Sequence, residues 1–233
     1  MTSPIILALD TDDLDIAKSW IESTRDAVGV YKIGLEFFLK FGREGIASLR
    51  AAGDFQMFLD LKLHDIPNTV AGATASVADL APKFLTVHAS GGRKMISAAA
   101  LSAPDISITA VTILTSLSDV DLRDVGFAGS NVESAVRLAK LAVESGARSI
   151  VCSPLEVAAI RAQVPPQILL ITPGVRPAES SADDQMRTMT PMEAINAGAN
   201  FLVIGRPITS HWSISGAAMR EAALRILEPL ELR

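Results

Sequence analysis

Two carboxylates and a lysine fall within the short run Asp60-Leu61-Lys62-Leu63-His64-Asp65. An ammonium held beside carboxylates can stabilise negative charge that develops on a nearby atom, then deliver a proton to it. The run closes a stretch that reads as a β-strand, Met57 to Leu63. Side chains alternate faces along a strand. Met57, Leu59, Leu61 and Leu63 therefore share an apolar face that must pack against other elements. Phe58, Asp60 and Lys62 share the opposite face. Buried charges are costly unless paired, so Asp60 and Lys62 form either an ion pair that plugs the interior or part of a site. Leu7-Ala8-Leu9-Asp10 ends another strand-like run in a carboxylate, and Val30-Tyr31-Lys32-Ile33-Gly34 carries a further lysine. Taken singly, Asp10 would serve as a cap for a helix starting near Leu14, and Lys32 as a solvated lysine. Four charges at the same ends of three successive strands point instead to a common site.

An anion-binding signal lies near the C-terminus. Phe201 to Ile204 runs into Gly205-Arg206-Pro207-Ile208. Gly205 allows close backbone approach, and Arg206 adds a charge with several donors; an ordinary strand-ending turn is the plainer alternative. After Thr172-Pro173-Gly174-Val175 comes a polar stretch, Arg176 to Arg187, with no helical periodicity. A long connection of that kind at a strand's C-terminal end is expected to act as a lid, with Arg176 able to close on the same anion. His64, His88 and His211 show no pair at metal-binding spacing. His88 ends a strand-like run, where a contact at the rim and plain packing are both open. The single cysteine, Cys152, lies in an apolar run and reads as a small core residue.

These side chains need a scaffold to aim them. Short apolar runs recur at Ile5 to Leu9, Val30 to Ile33, Met57 to Leu63, Phe84 to Val87, Ile106 to Leu114, Ser149 to Cys152, Ile168 to Ile171 and Phe201 to Ile204. Longer stretches with helical spacing separate them. The clearest has apolar positions at Val132, Ala135, Val136, Ala139 and Val143, with Asn131 placed to cap its start and Gly146 to follow its end. Regular strand–helix alternation fits a closed (β/α)8 barrel and an open doubly wound sheet. The count favours the barrel, and no Gly-x-Gly-x-x-Gly follows the first strand. With no linker or composition break, residues 1–233 are expected to form one catalytic barrel domain. Hydrophobic residues make up 49% and aromatic residues 5%, so the core must be built mainly from aliphatic side chains. The net charge of −5 with no basic block argues against nucleic acid and membrane surfaces as partners. One cysteine rules out an intrachain disulfide, and the first residues lack a basic, long apolar leader. A soluble, cytoplasmic protein is expected.

The run Asp60-Leu61-Lys62-Leu63-His64-Asp65-Ile66-Pro67-Asn68-Thr69 resembles the signature of the orotidine 5'-phosphate decarboxylases. Leu7 to Asp10, Tyr31 to Gly34, Leu114-Thr115-Ser116, Pro173 to Pro177, Asp184-Gln185 and Ile204 to Thr209 follow the family's order, and Val175 stands where isoleucine is common. The resemblance implies a TIM barrel that decarboxylates orotidine 5'-monophosphate to uridine 5'-monophosphate without metal or other cofactor. It implies that Lys62 protonates C6 of the pyrimidine and that Asp60 lies beside the substrate carboxylate. Lys32 and Asp65 would complete an alternating Lys-Asp-Lys-Asp array. Asp65 and Thr69 would come from the second subunit of a homodimer. Asp10 and Lys32 would contact the ribose region, Thr115 and Ser116 the base, and Ile66 the substrate. Gln185, Gly205 and Arg206, with Arg176 nearby, would hold the phosphate. Related barrel decarboxylases and aldolases share Asp-x-Lys-x-x-Asp but use a magnesium ion, and a non-catalytic phosphate-binding barrel is the rival from another class.

Overall fold

The structure, a computed structural model, describes residues 3–176 and 189–231. The eight apolar runs each become one strand: β1 (Ile5–Ala8), β2 (Val30–Ile33), β3 (Met57–Leu63), β4 (Phe84–His88), β5 (Ser107–Val111), β6 (Ser149–Val151), β7 (Leu169–Pro173) and β8 (Phe201–Ile204). All pair in parallel in chain order, and β1 closes onto β8 with Ile6 opposite Val203. That closure excludes the open doubly wound sheet. Strand ends differ from expectation by a few residues. β5 stops at Val111 rather than Leu114, because the chain turns at Thr115-Ser116 toward the next helix. The helices are α1 (Leu14–Thr24), α2 (Leu35–Ala51), α3 (Pro67–Ser76), α4 (Gly92–Ser102), α5 (Asp119–Asp124), α6 (Asn131–Glu144), α7 (Val157–Arg161), α8 (Pro191–Asn196), α9 (Arg206–Thr209) and α10 (Gly216–Glu231).

Alternation along each strand divides the apolar residues between two cores. Outward residues such as Leu7, Tyr31, Leu59, Leu85, Ile150 and Leu202 pack under the helices in the larger core. Inward residues Ile6, Val30, Phe58, Phe84 and Ile171 form a second cluster inside the barrel. Burying one such side chain fully contributes about 1.5–3 kcal/mol, so most strands are committed on both faces. The rings of Phe58, Phe84 and Phe201 meet edge to face and fill the lower interior. Lys83 lies over Phe84 and Phe201 and donates to Gln56, sealing the N-terminal end. Its stem is partly buried, and desolvation lowers its pKa. On β5 and β6 the inward hydroxyls of Ser107, Thr109 and Ser149 satisfy one another, and the charged inward groups lie at the C-terminal mouth.

Two capping assignments are settled by hydrogen bonds. Asp13, not Asp10, caps α1: its Oδ1 accepts from the backbone N–H of Asp15 and Ile16 at 2.9 and 3.0 Å. Ser130, not Asn131, caps α6. Ser130 and Glu133 form a reciprocal capping box, while Asn131 is the first helical residue and its amide donates to Asp119. The buried face of α6 is also rotated from the expected stripe. Ser134, Ala135, Ala139 and Ala142 are buried, whereas Val132 is exposed and Val136 and Val143 lie at the edge of the core. Small residues let α6 sit close to the barrel, and the valines flank that contact. Among the described residues no helix is long and apolar enough to cross a membrane.

Candidate active site

At the C-terminal mouth, β1, β2 and β3 bring Asp10, Lys32, Asp60 and Lys62 together as strand alternation predicts. Asp60 is the hub. Its Oδ2 lies 2.8 Å from Lys62 Nζ and 3.6 Å from Lys32 Nζ, and Lys32 Nζ reaches Asp10 Oδ1 at 3.1 Å. Exposure grades outward: the side chain of Asp60 is 9% exposed, that of Lys32 12%, of Lys62 30% and of Asp10 62%. Burial alone would raise the Asp60 pKa. The charges of Lys32 and Lys62 and the hydrogen bonds from Lys62 and Thr86 outweigh it, so the carboxyl titrates below its usual range. Asp60 is thus a buried carboxylate that stays ionised at neutral pH.

Local sequence explains how these groups fit. Gly34 caps the start of α2; a Cβ there would stand 3.1 Å from Lys32 Nζ and 3.6 Å from Asp10 Oδ1. The glycine leaves room for that pair to form. On β3 the regular ladder is interrupted. Leu59 pairs with Leu85 and Leu63 with Val87, so Asp60, Leu61 and Lys62 stand opposite Thr86 alone. Within this bulge Lys62 takes a left-handed backbone, φ +49°. For a non-glycine residue that conformation costs on the order of 1–3 kcal/mol and must be held by its surroundings. Thr86, fully buried on β4, meets both ends of the irregularity. Its hydroxyl accepts from the Lys62 backbone N–H at 2.7 Å and donates to Asp60 Oδ1 at 3.0 Å. Neither Thr86 nor Gly34 was singled out by the sequence pattern. Thr86 does share the inward parity of Phe84 and His88, and a hydroxyl aimed into the barrel between them is the available signal.

The other sequence-based positions divide. Lys32, Asp60 and Lys62 form one wall of a cavity of about 180 Å³, with Phe58 below and Val111, Val151, Pro173 and Val203 opposite. Thr115 also lines it; Ser116 follows in the same turn and is exposed. Gly205 and Arg206 stand at the end of β8 on the same mouth. A Cβ on Gly205 would come no nearer than 3.7 Å to Ala8, so internal packing does not demand glycine there. Arg176 follows β7, and its N–H donates to Met189 O at 3.0 Å beside a Val175–Met189 bridge. These contacts tie together the two ends of the stretch expected to be a lid. Gln185 and residues 177–188 lie outside the described residues. Asp65, Ile66 and Thr69 are not part of the cavity wall. All three are exposed at the start of α3, and Asp65 accepts from the Ile66 N–H at 2.6 Å.

His88 and His64 resolve as neighbours with ring centroids 5.4 Å apart. Burial, then the His64 and Lys62 charges, lowers the His88 pKa against a smaller opposing effect of Asp60. Cys152 is fully buried, and burial with nearby Glu156 pushes its thiol up to about 12, too high for a nucleophile at neutral pH. Among the described residues no group of three His, Cys, Asp or Glu side chains is placed to hold a metal ion.

A closed parallel barrel with a buried carboxylate between two lysines at its C-terminal mouth defines a (β/α)8 barrel of the enzyme type, with its site where such barrels carry chemistry. A profile described as the orotidine 5'-phosphate decarboxylase / HUMPS family matches residues 3–220. The chain is 51% identical over 223 residues to the orotidine 5'-phosphate decarboxylase of Thermobifida fusca, covering 96% of each protein. It is 49% identical over 210 residues to that of Sphingopyxis alaskensis, covering 90% of this chain and 93% of the relative. The crystal structure of orotidine 5'-phosphate decarboxylase from Lactobacillus acidophilus superposes with a TM-score of 0.82 at 36% identity, covering 97% of this chain and 99% of that one. The chain belongs to the orotidine 5'-phosphate decarboxylase / HUMPS family.

Proposed function

We propose that this protein decarboxylates orotidine 5'-monophosphate to uridine 5'-monophosphate, the last step of de novo UMP synthesis in the cytoplasm, without metal or other cofactor. The observation that carries the reading is the Lys32–Asp60–Lys62 cluster at the barrel mouth of a chain from this family. Departure of carbon dioxide leaves the electron pair of the broken C–C bond on C6, in an orbital that the pyrimidine ring delocalises poorly. The Lys62 ammonium stabilises that charge and then transfers a proton to C6. Asp60 holds the ammonium by the 2.8 Å contact and lies beside the departing carboxylate. Lys32, anchored to Asp10, faces the ribose, and Thr115 with Ser116 faces the base. Gly205, Arg206, Arg176 and Gln185 take the phosphate. Its binding energy, remote from the bond that breaks, can then serve the chemical step.

In this reading the active unit is a homodimer, and Asp65, Ile66 and Thr69 complete the partner's site. Two features of the isolated chain support it. The exposed Asp65 carboxylate accepts from the Ile66 N–H and, among the described residues, forms no ion pair with Lys62; Ile66 beside it is 66% exposed, as an apolar side chain covered by a second subunit would be. The test of the reaction is loss of the substrate's absorbance with and without EDTA. Turnover of orotidine 5'-monophosphate in both is expected. Activity that vanishes in chelator, or no turnover of this substrate by folded protein, would refute the proposal.

A further inference from the structure

The bulge in β3 needs an explanation that the roles above do not supply. Three residues of β3 stand opposite one residue of β4, so the regular ladder offers Lys62 no backbone acceptor there. The chain nonetheless holds Lys62 in a left-handed conformation that few non-glycine residues adopt. A threonine hydroxyl has one hydrogen to donate and lone pairs to accept. Thr86 uses its hydrogen on Asp60 Oδ1 and a lone pair on the Lys62 N–H. One oxygen atom therefore links the backbone of the proton donor to the carboxylate that grips its ammonium. The residue lies on a neighbouring strand and is fully buried.

We infer that Thr86 is a positioning residue for the reaction: its hydroxyl fixes the backbone turn at Lys62 and the Asp60 carboxylate together, and so sets where the Lys62 ammonium stands. This rests on the decarboxylase reading above. Thr86 does not touch the reacting atoms; it acts through Lys62 and Asp60. A chemical step that depends on near-contact geometry is sensitive to such a link, because small misplacements of a reacting group lower the rate far more than they weaken binding. Of the groups assigned to the phosphate, Arg176 follows β7 and Gly205 and Arg206 follow β8, away from β4, so the phosphate contacts do not depend on Thr86.

The experiment compares Thr86→Val, which keeps the shape and removes the hydroxyl, with Thr86→Ser, which keeps the hydroxyl. Losing one hydrogen bond to a charged group corresponds to about a 10- to 100-fold fall in kcat for valine. KM should stay within about threefold, the mark of an interaction used in the transition state. Serine should recover most of kcat. Hydrogen exchange at the Lys62 amide, read by NMR, should be slow in wild type and Thr86→Ser and faster in Thr86→Val. If valine does not fold, Thr86→Ala supplies the same comparison against serine. Valine or alanine with near wild-type kcat, or serine as impaired as valine, would overturn the proposal. A purely structural role would lower thermal stability and leave the kcat of the folded fraction unchanged, which also overturns it. If wild type itself fails to turn over orotidine 5'-monophosphate, the functional reading fails. The amide exchange then still decides whether Thr86 holds Lys62.

Discussion

Replacing Asp60 by Asn tests the electrostatics of the site directly. The amide keeps the size of the carboxylate, and its oxygen can still accept from Thr86. Its NH2, however, must face the Lys62 ammonium, which the carboxylate now meets at 2.8 Å. The change removes one charge-assisted hydrogen bond, worth about 1.5–3 kcal/mol. With Lys62 30% exposed, the lower part of that range applies. Lys32, at 3.6 Å, loses a Coulombic partner rather than a good hydrogen bond. It is nearly buried but keeps Asp10 at 3.1 Å, so its repulsion from Lys62 is only partly offset and roughly another 1–2 kcal/mol follows, less than the usual cost of breaking a fully buried pair. The total is about 3 kcal/mol, or about 6–12 °C in Tm for a chain of this size. The pH dependence has a definite sign. The Asp60 pKa is lowered in the folded protein, so its contribution is full above the unfolded value of about 3.9 and is lost as pH falls through the lower folded value. Calorimetry of wild type and Asp60→Asn should show the gap at pH 7 and its narrowing in acid below about pH 4. Equal stability at pH 7, or a gap unchanged in acid, would refute the argument that the two lysines hold Asp60 ionised.

Three further outcomes follow from the Gly34 packing and from the proposed roles. Gly34→Ala puts a methyl 3.1 Å from Lys32 Nζ, so the pair with Asp10 must shift; the fold should persist while KM rises about tenfold, equivalent to 1.4 kcal/mol. Arg206→Ala should cost about 1.5–3 kcal/mol in kcat/KM with the phosphorylated substrate. It should change little with the nucleoside lacking phosphate, and an equal loss with both would place Arg206 away from the phosphate. Lys62→Ala and Asp65→Asn should each be inactive alone; unfolded and refolded together, they should recover roughly a quarter of wild-type activity if each site draws on both subunits. No recovery despite verified subunit exchange would place both residues in one chain's site.

The parts of this site that the sequence reveals are those carried by periodicity. Inward parity on β3 finds Asp60 and Lys62, the same rule finds Lys32 on β2, and the rhythm of eight apolar runs leads to the closed barrel. The cap of α6 is also legible in the sequence. Ser130 and Asn131 are both good caps, but Glu133 lies three residues after Ser130, where a capping box needs it. What stays hidden is the break in the β3–β4 ladder. A left-handed Lys62 has no residue-type signature, since glycine is the residue that would announce it. Its support comes from Thr86, a residue 24 positions away on another strand, and only the register of β3 against β4 brings the two together. Gly34 is similar: it reads as an ordinary strand-end glycine until the Lys32–Asp10 pair is seen in the space its missing side chain leaves. Charges announce a site because burying them without partners is costly, whereas the small groups that aim those charges cost nothing to leave unnoticed. In a strand whose ladder is interrupted at the functional residue, the polar side chain of matching parity on the neighbouring strand is the place to look for what restrains it.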